Sequence, residues 1–434
     1  MAQSEVSRIS TISQDQLDAL VELHNRFQQG RLGGRRAHLA NTDLTGLSLR
    51  GKNLKQANFT GCVMERMDLS ETDFQEASLY ACDLSNSNLY KTVFTRADLR
   101  GARIENANLE GADLESADLR VGGLARNGNF DSGRAVNFRG ANLSGAKLAG
   151  SMASKADFSD AMMAGVNICR ADLRGAKLEG ANLSNAEITG TQLAGASMKS
   201  AILIGVELNT LKGNGVDFSD AITDENIGTS VSALGEPLPK LIEEHRLWLR
   251  TVGKNGKQLD LSSVDMRMIG SLKLEKMTAV RAVETKFFGM NLYRIELQSA
   301  VLDRSDFRNC DMVLSDLRGS SFKGANLSHA NLTGANCSSL LIGTGGPMNR
   351  FHPCFFEKAR LRYTVLREAQ LKNAVFRGAD LSFADLTDAD LRDADFTGAI
   401  MEGTILDGAK MEGAIMERDK SRPVFRLPVD GSRD

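Results

Sequence analysis

Aromatic side chains are scarce in this 434-residue chain, at 6% with a single Trp, and Pro occurs only six times. Large aromatic anchors dominate the packing of many compact cores, so burial here has to come from many medium-sized aliphatic residues. No apolar run approaches the roughly eighteen residues of a membrane-spanning helix. The first residues hold no apolar signal core either, and a cytoplasmic protein is expected. Charge nearly cancels, with 53 Lys+Arg against 55 Asp+Glu and a formal net charge of −2. That balance argues against a general electrostatic affinity for nucleic acid or anionic membrane. The six cysteines fall into no Cys-x-x-Cys or Cys/His zinc spacing, so neither a metal nor a cofactor is expected.

What the chain does have is a period. From Ala37 to Leu124 every fifth residue is bulky and apolar, running Leu39, Leu44, Leu49, Leu54, Phe59, Met64 and onward through Leu109, Leu114, Leu119 and Leu124. Two positions earlier the residue is usually small (Ala57, Ala77, Ala97, Ala107), with Asp or Asn between them. Ala-Asn-Leu-Glu-Gly at 107–111 and Ala-Asp-Leu-Glu-Ser at 112–116 show the unit cleanly. A period of five fits neither a helix at 3.6 nor a strand at 2. One such unit can turn only its small and its large residue inward, so stability must come from stacking turn upon turn of chain.

The units resemble the pentapeptide-repeat family, with its Ala-(Asp/Asn)-Leu-x-x pattern, over roughly residues 37–223 and 259–417. The resemblance implies an all-β solenoid, a right-handed four-sided β-helix with four units per turn. Four-fold winding carries its own sequence check, since large residues should stack twenty positions apart. Phe74/Phe94, Phe138/Phe158, Phe287/Phe307 and Phe356/Phe376/Phe396 have that spacing, and fifteen-residue pairs such as Phe59/Phe74 are fewer.

Residues 1–12 are polar and expected to be disordered. Ser13 with Gln16 reads as a capping box for a helix over about 14–28, whose apolar face is Leu17, Leu20, Val21, His24 and Phe27. Such a helix should lid the first coil, since an open β-helix end invites pairing. The first repeat domain, 13–223, is interrupted by a loop at 121–137, and a linker follows at 224–240. A second lid helix, begun by Pro239, presents Leu241, Ile242, His245, Trp248 and Leu249. It opens a second repeat domain at 241–417, interrupted by a loop at 343–355. A non-repetitive tail occupies 418–434. His24 matches His245 at an offset of 221, and Leu124 and Phe138 match Ile342 and Phe356 at 218. The chain therefore reads as a tandem duplication, each copy preceded by a capping helix.

The Asp column before the large residues (Asp98, Asp113, Asp118, Asp380, Asp385, Asp390, Asp395) offers paired carboxylates, but Asp or Asn recurs at that place of the repeat and suits turn geometry. His24 and His245 read as packed, hydrogen-bonded lid residues. Gly-Thr-Gly-Gly at 343–346 lacks the Lys-Ser/Thr of a phosphate loop. No catalytic residue is assigned. The loops, which depart from the strict scaffold at equivalent places, supply the candidate partner-binding residues: Arg126, Asn127, Phe130 and Arg134 in one, Met348, Asn349, Arg350, Phe351 and His352 in the other. Arg mixed with aromatics favours protein interfaces; a tolerated loop insertion is the plain alternative. The apolar tail segment Pro423–Val429 could equally meet a partner or fold back on the last coil.

The expected function is a non-enzymatic scaffold that binds another protein through its faces and loops. The resemblance implies an alternative, a DNA mimic that binds DNA gyrase or another DNA-binding protein and protects or inhibits it, because some pentapeptide-repeat proteins are loop-bearing dimers that imitate duplex DNA and protect DNA gyrase. Acidic positions mixed with Arg50, Arg100, Arg120, Arg139 and Arg174 show no unbroken acidic stripe of the kind mimicry needs.

Overall fold

The computed structural model describes residues 9–123, 125–126, 129–130, 133–208, 215–225, 228–342 and 350–416. Its two compact units are Met1–Asn226 and Ile227–Asp434.

The repeat unit is a turn followed by a short bridge. In Leu54-Lys55-Gln56-Ala57 the Ala57 N–H donates to the Leu54 carbonyl at 3.0 Å, and Gln56 has a φ of +62°. Positive φ at the third residue is the mark of a type II turn. Gly meets this demand without steric cost, as at Gly111 with φ +67°. The Asp or Asn column fastens the turn locally, since Asp68 Oδ1 accepts the Ser70 N–H at 3.1 Å and its hydroxyl at 2.6 Å. The same arrangement recurs at Asn58/Thr60, Asp157/Ser159, Asn331/Thr333 and Asp385/Thr387.

Units join into coils through parallel bridges between residues twenty apart. His38 bridges Asn58, Ser78 and Asp98 in succession, and Asp43 bridges Val63, Asp83 and Arg103. Columns through Ser48 and Asn53 complete the set, so one coil is twenty residues, or four units, of β-helix. The interior shows the same winding. Phe74/Phe94, Phe138/Phe158 and Phe287/Phe307 stack at centroid distances of 5.6, 4.8 and 4.8 Å, and Phe356, Phe376 and Phe396 continue at 5.0 Å. Pairs fifteen apart meet edge-on instead, with Phe59 and Phe74 at 90°. Cys62, Cys82, Cys310, Cys337 and Cys354 are buried free thiols, as inward stand-ins for Ala or Leu should be. In the second unit Asp260–Arg281 and Asp265–Lys286 are spaced by 21 before Ser271–Asn291 restores 20. The extra residue is absorbed in a single 3₁₀ turn at Arg267–Ile269.

Two helices close the first coils. Helix α1 (Gln14–Gln28) starts from the Ser13/Gln16 capping box and buries Leu17, Val21 and His24, while Phe27 stays 41% exposed. Helix α2 (Leu238–Arg250) buries Leu238, Ile242 and His245, and half-buried Trp248 stacks on His245 at 5.7 Å. Both lid histidines make the same clip. His24 Nδ1 accepts the Ala37 N–H at 3.0 Å, and His245 Nδ1 accepts the Leu259 N–H at 3.1 Å. The opposite nitrogen of His245 donates to the Thr278 carbonyl at 3.0 Å, and that of His24 faces the Lys55 carbonyl. An imidazolium has no lone pair for the accepting role.

Four boundaries differ from the sequence reading. Ser10–Thr11, expected to be disordered, pairs in parallel with Thr42–Asp43, because the first coil offers an open ladder edge there. Thr229–Ser230, assigned to the linker, pairs with Val264–Asp265 for the same reason, and α2 begins at Leu238, inside that linker. Leu124 keeps the five-residue spacing, yet Arg103 bridges Asn137, so Phe138 takes the coil place expected of Leu124, which lies outside the described residues. Ile342 likewise leaves the coil for an antiparallel strand, and Phe356 stacks on Phe322 in its stead at 5.2 Å. The second interruption therefore starts before residue 343. The tail at 418–434 lies outside the described residues.

Leu109 is fully buried beside exposed Glu110. Leu109→Ala should lower unfolding stability by about 2–5 kcal/mol, Leu109→Lys should prevent normal folding, and Glu110→Ala should change stability by less than about 0.5 kcal/mol; urea midpoints measure all three.

Burial lowers the pKa of His24 and His245, and Arg36 adds to the effect at His24, outweighing the carbonyl contacts. The unfolded chain therefore binds more protons than the folded one once pH falls below about 6.5. The neutral clips contribute fully above that pH and are lost as pH drops from it through the lowered folded values. The urea midpoint of the native protein should fall more between pH 7.5 and 5.5 than that of the His24→Gln/His245→Gln variant; equal falls would dissociate the clips from acid sensitivity.

Candidate interaction site at the two hairpins

Both interruptions are hairpins rather than plain loops. In the first unit Ala125–Arg126 pairs antiparallel with Asn129–Phe130, and Gly122 bridges Arg134 below them. In the second, Leu340–Ile342 pairs antiparallel with Arg350–His352. The base pairs Gly122/Arg134 and Leu340/His352 are related by the offset of 218 that the sequence shows around them. The chain then rejoins its column without losing register: Arg103–Asn137 and Ser321–Phe355 are spaced by 34, and spacing returns to 20 at once.

Each hairpin rests on an equivalent coil corner. A Cβ on Gly101 would collide with the Gly122 carbonyl oxygen, and one on Gly122 would lie 2.7 Å from the Arg100 backbone. At Gly319 a Cβ would come within 2.9 Å of Leu340 Cβ. The Tyr80 hydroxyl fastens the first base, accepting the Gly123 N–H and donating to the Gly123 carbonyl, both at 2.9 Å. His352 fastens the second: its Nδ1–H donates to the Gly319 carbonyl at 3.1 Å, with the ring edge-on to Phe355.

Of the sequence-predicted residues, Arg126 and Phe130 lie on the first hairpin strands, Arg350 on a strand of the second, and Arg134 and His352 at the matched bases. Phe351 projects from the second hairpin with 70% of its surface exposed. Asn127, Met348 and Asn349 lie outside the described residues. The two sets belong to separate units. Phe351 and Pro353 border a groove of about 580 Å³ together with Ser338, Ser339, Lys372, Asn373 and Asp393. Beside the first hairpin, Arg103, Arg134, Lys155 and Lys177 line a groove of about 360 Å³ with Asp157. Sequence reading missed these coil-borne lining residues, although the 34-residue step places Lys372 in register with Ser338.

Many members of the Asp column are ion-paired where they stand. Arg120 Nε and Nη2 bind both Asp118 oxygens at 2.9 and 2.7 Å, and Arg100/Asp98, Arg174/Asp172, Arg318/Asp316 and Arg392/Asp390 repeat this fork. Burial pushes the Asp118 carboxyl up, but Arg120 and Arg100 hold it below the usual carboxylate range. Asp306 is more enclosed, at 5% side-chain exposure, and Arg308 outweighs burial there too. Among the described residues no cluster of His, Cys, Asp and Glu could hold a metal ion, and no helix is long and apolar enough to cross a membrane.

The family model for a pentapeptide repeat region matches residues 35–114, and the model for pentapeptide repeats in eight copies matches 134–168, 170–208, 283–319, 310–339, 354–393 and 379–418. Among solved structures, HetL, a pentapeptide repeat protein involved in heterocyst differentiation regulation from the cyanobacterium Nostoc sp. strain PCC 7120, is 19% identical with a TM-score of 0.19, over 91% of this chain and 95% of that one. QnrB1, a plasmid-mediated fluoroquinolone resistance protein, is 21% identical with a TM-score of 0.24, over 44% of this chain and 86% of that one. Rfr23, from the cyanobacterium Cyanothece 51142, is 22% identical with a TM-score of 0.15, over 32% of this chain and 91% of that one. No curated protein matches. At these scores the assignment rests on the repeat matches and not on the individual structures. Those matches fall in both units and take in more than half of the residues, and the chain belongs to the pentapeptide-repeat family.

Proposed function

We propose that this protein is a non-enzymatic, cytoplasmic scaffold, built from two tandem right-handed, four-sided coils, that binds another protein through its hairpins and the faces beside them. The observation that carries the reading is Phe351, a large apolar side chain held 70% exposed at a hairpin and bordered by a groove. A hairpin anchored on a stiff coil presents such a side chain at little ordering cost, which favours binding. Exposed aromatics are the residues that carry interface energy.

Mimicry of duplex DNA toward gyrase is the alternative that family resemblance raises. It requires a continuous negative face. The forked Asp–Arg pairs at 98/100, 118/120, 172/174, 316/318 and 390/392 cancel that charge locally, which supports the protein-scaffold reading over it.

Capture of partners from the native host should be lost when both hairpins are trimmed to one repeat each, and retained partners would count against the hairpins. Phe351→Ala should leave the urea midpoint within about 0.5 kcal/mol of the native protein while weakening capture at least tenfold. Unchanged capture by that variant would remove the second hairpin from the interface.

A further inference from the structure

Cys337 and Cys354 stand on either side of the second hairpin, yet coil register brings them to one corner. In an unbroken coil a large inward residue and the small one three places on close a turn. Below this corner the Ser320 N–H donates to the Leu317 carbonyl at 3.1 Å, and above it the Ala374 N–H donates to Leu371 at 3.0 Å. Asn336 bridges Asp316 and Gln370, while Phe355 bridges Ser321 and Val375. Cys337 therefore stands between Leu317 and Leu371, and Cys354 between Ser320 and Ala374. The two cysteines occupy the closing positions of a turn into which the hairpin is inserted. Such positions lie less than about 7 Å apart at Cα, and a disulfide spans roughly 4.4–6.8 Å.

The thiols themselves meet. Both residues are fully buried, and the Cys354 side chain interacts directly with that of Cys337. Other inward thiols spend themselves on backbone instead, as Cys82 does on the Phe59 carbonyl and Cys310 on that of Phe287. Packing does not require sulfur at this corner. At the offset of 218 the first unit holds Leu119 and Val136 in the same two places, equally sealed. The turn's own bond is missing as well, since among the described residues no carbonyl accepts the Cys354 N–H.

We propose that Cys337 and Cys354 form a site of reversible oxidation, at which a hydroperoxide converts the two thiols into an intrachain disulfide stapling the root of the second hairpin. With hydrogen peroxide, one thiolate attacks the O–O bond and becomes a sulfenic acid as the first water leaves. The second thiolate displaces that hydroxyl as a second water and forms the S–S bond. The sulfurs together lose two electrons, and the two thiol protons end on the departing oxygens. Burial raises the Cys354 thiol well above its ordinary value, so reaction proceeds through local opening of the hairpin root and not from the sealed pair. In a reducing compartment such a bond is transient, as redox-sensing disulfides are. This chemistry stands apart from any binding role of the hairpins.

The test treats the full chain with hydrogen peroxide in the absence of denaturant, then maps disulfides by mass spectrometry and follows hydrogen exchange. A Cys337–Cys354 linked peptide should form and be released by dithiothreitol. Oxidation should slow exchange across Leu340–Ile342 and Arg350–His352 by about tenfold or more, while Ala125–Arg126 of the first hairpin is unchanged. The Cys354→Ala variant, treated identically, should show no slowing. The proposal is overturned if both thiols stay free at doses that oxidise the half-buried Cys169. Linkage that forms only in urea, or that joins either cysteine to another residue or another chain, would overturn it equally.

Discussion

Backbone pairing between residues twenty apart is the constraint on which everything else in this protein depends. A five-residue unit has too little apolar surface to order itself, and its N–H and C=O groups point along the axis, toward its neighbours. Each coil supplies the acceptors that the coil before it needs, as when Leu109 donates to Asn142 and Leu114 to Lys147 across the first hairpin. Interior side chains then inherit the register. Leu stands over Leu and Phe over Phe because their backbones are bonded, and the flat stacking of Phe356, Phe376 and Phe396 follows. Stability in such a chain is a sum over neighbouring coils, which makes its ends the weak places.

The outer surface obeys a second, more local rule. Asp and Asn accept the N–H two residues on, and where Arg stands at that position the same carboxylate also receives a guanidinium fork. The forked pairs at 98/100, 118/120, 172/174, 316/318 and 390/392 each place a guanidinium against the carboxylate that fastens the turn. Charges that look like a catalytic column in the sequence are turn fasteners in the structure.

Much of the fold was legible because the period is so regular. The Phe pairs gave the number of units per coil, Ser13 and Gln16 gave the start of the first lid, and the matched His24 and His245 gave its repetition in the second unit. The sequence misled where spacing and pairing part company. Ile342 keeps the five-residue beat but has left the ladder, since nothing in a linear pattern says which residue the coil below will accept. Ser10–Thr11 and Thr229–Ser230 carry no apolar signal, and their strands exist because a neighbouring edge was open. The groove residues Lys372, Asn373 and Asp393 were invisible for a related reason: they lie beside Phe351 only by virtue of coil register. The hairpins themselves could be placed from the broken period, while the clasping of their bases by Tyr80 and His352 required the three-dimensional arrangement.

The return of each hairpin to the column it left has a consequence for how such a molecule can change. Because Asn137 lands over Arg103 as the uninterrupted chain would have done, the fourteen-residue excursion is invisible to every coil above it. Length and composition of the protruding segment are thereby uncoupled from the phase of the interior. Evolution, or an engineer, can exchange what is displayed at Gly101 and Gly319 as one swaps a tool in a fixed socket, leaving the threading of the rest untouched.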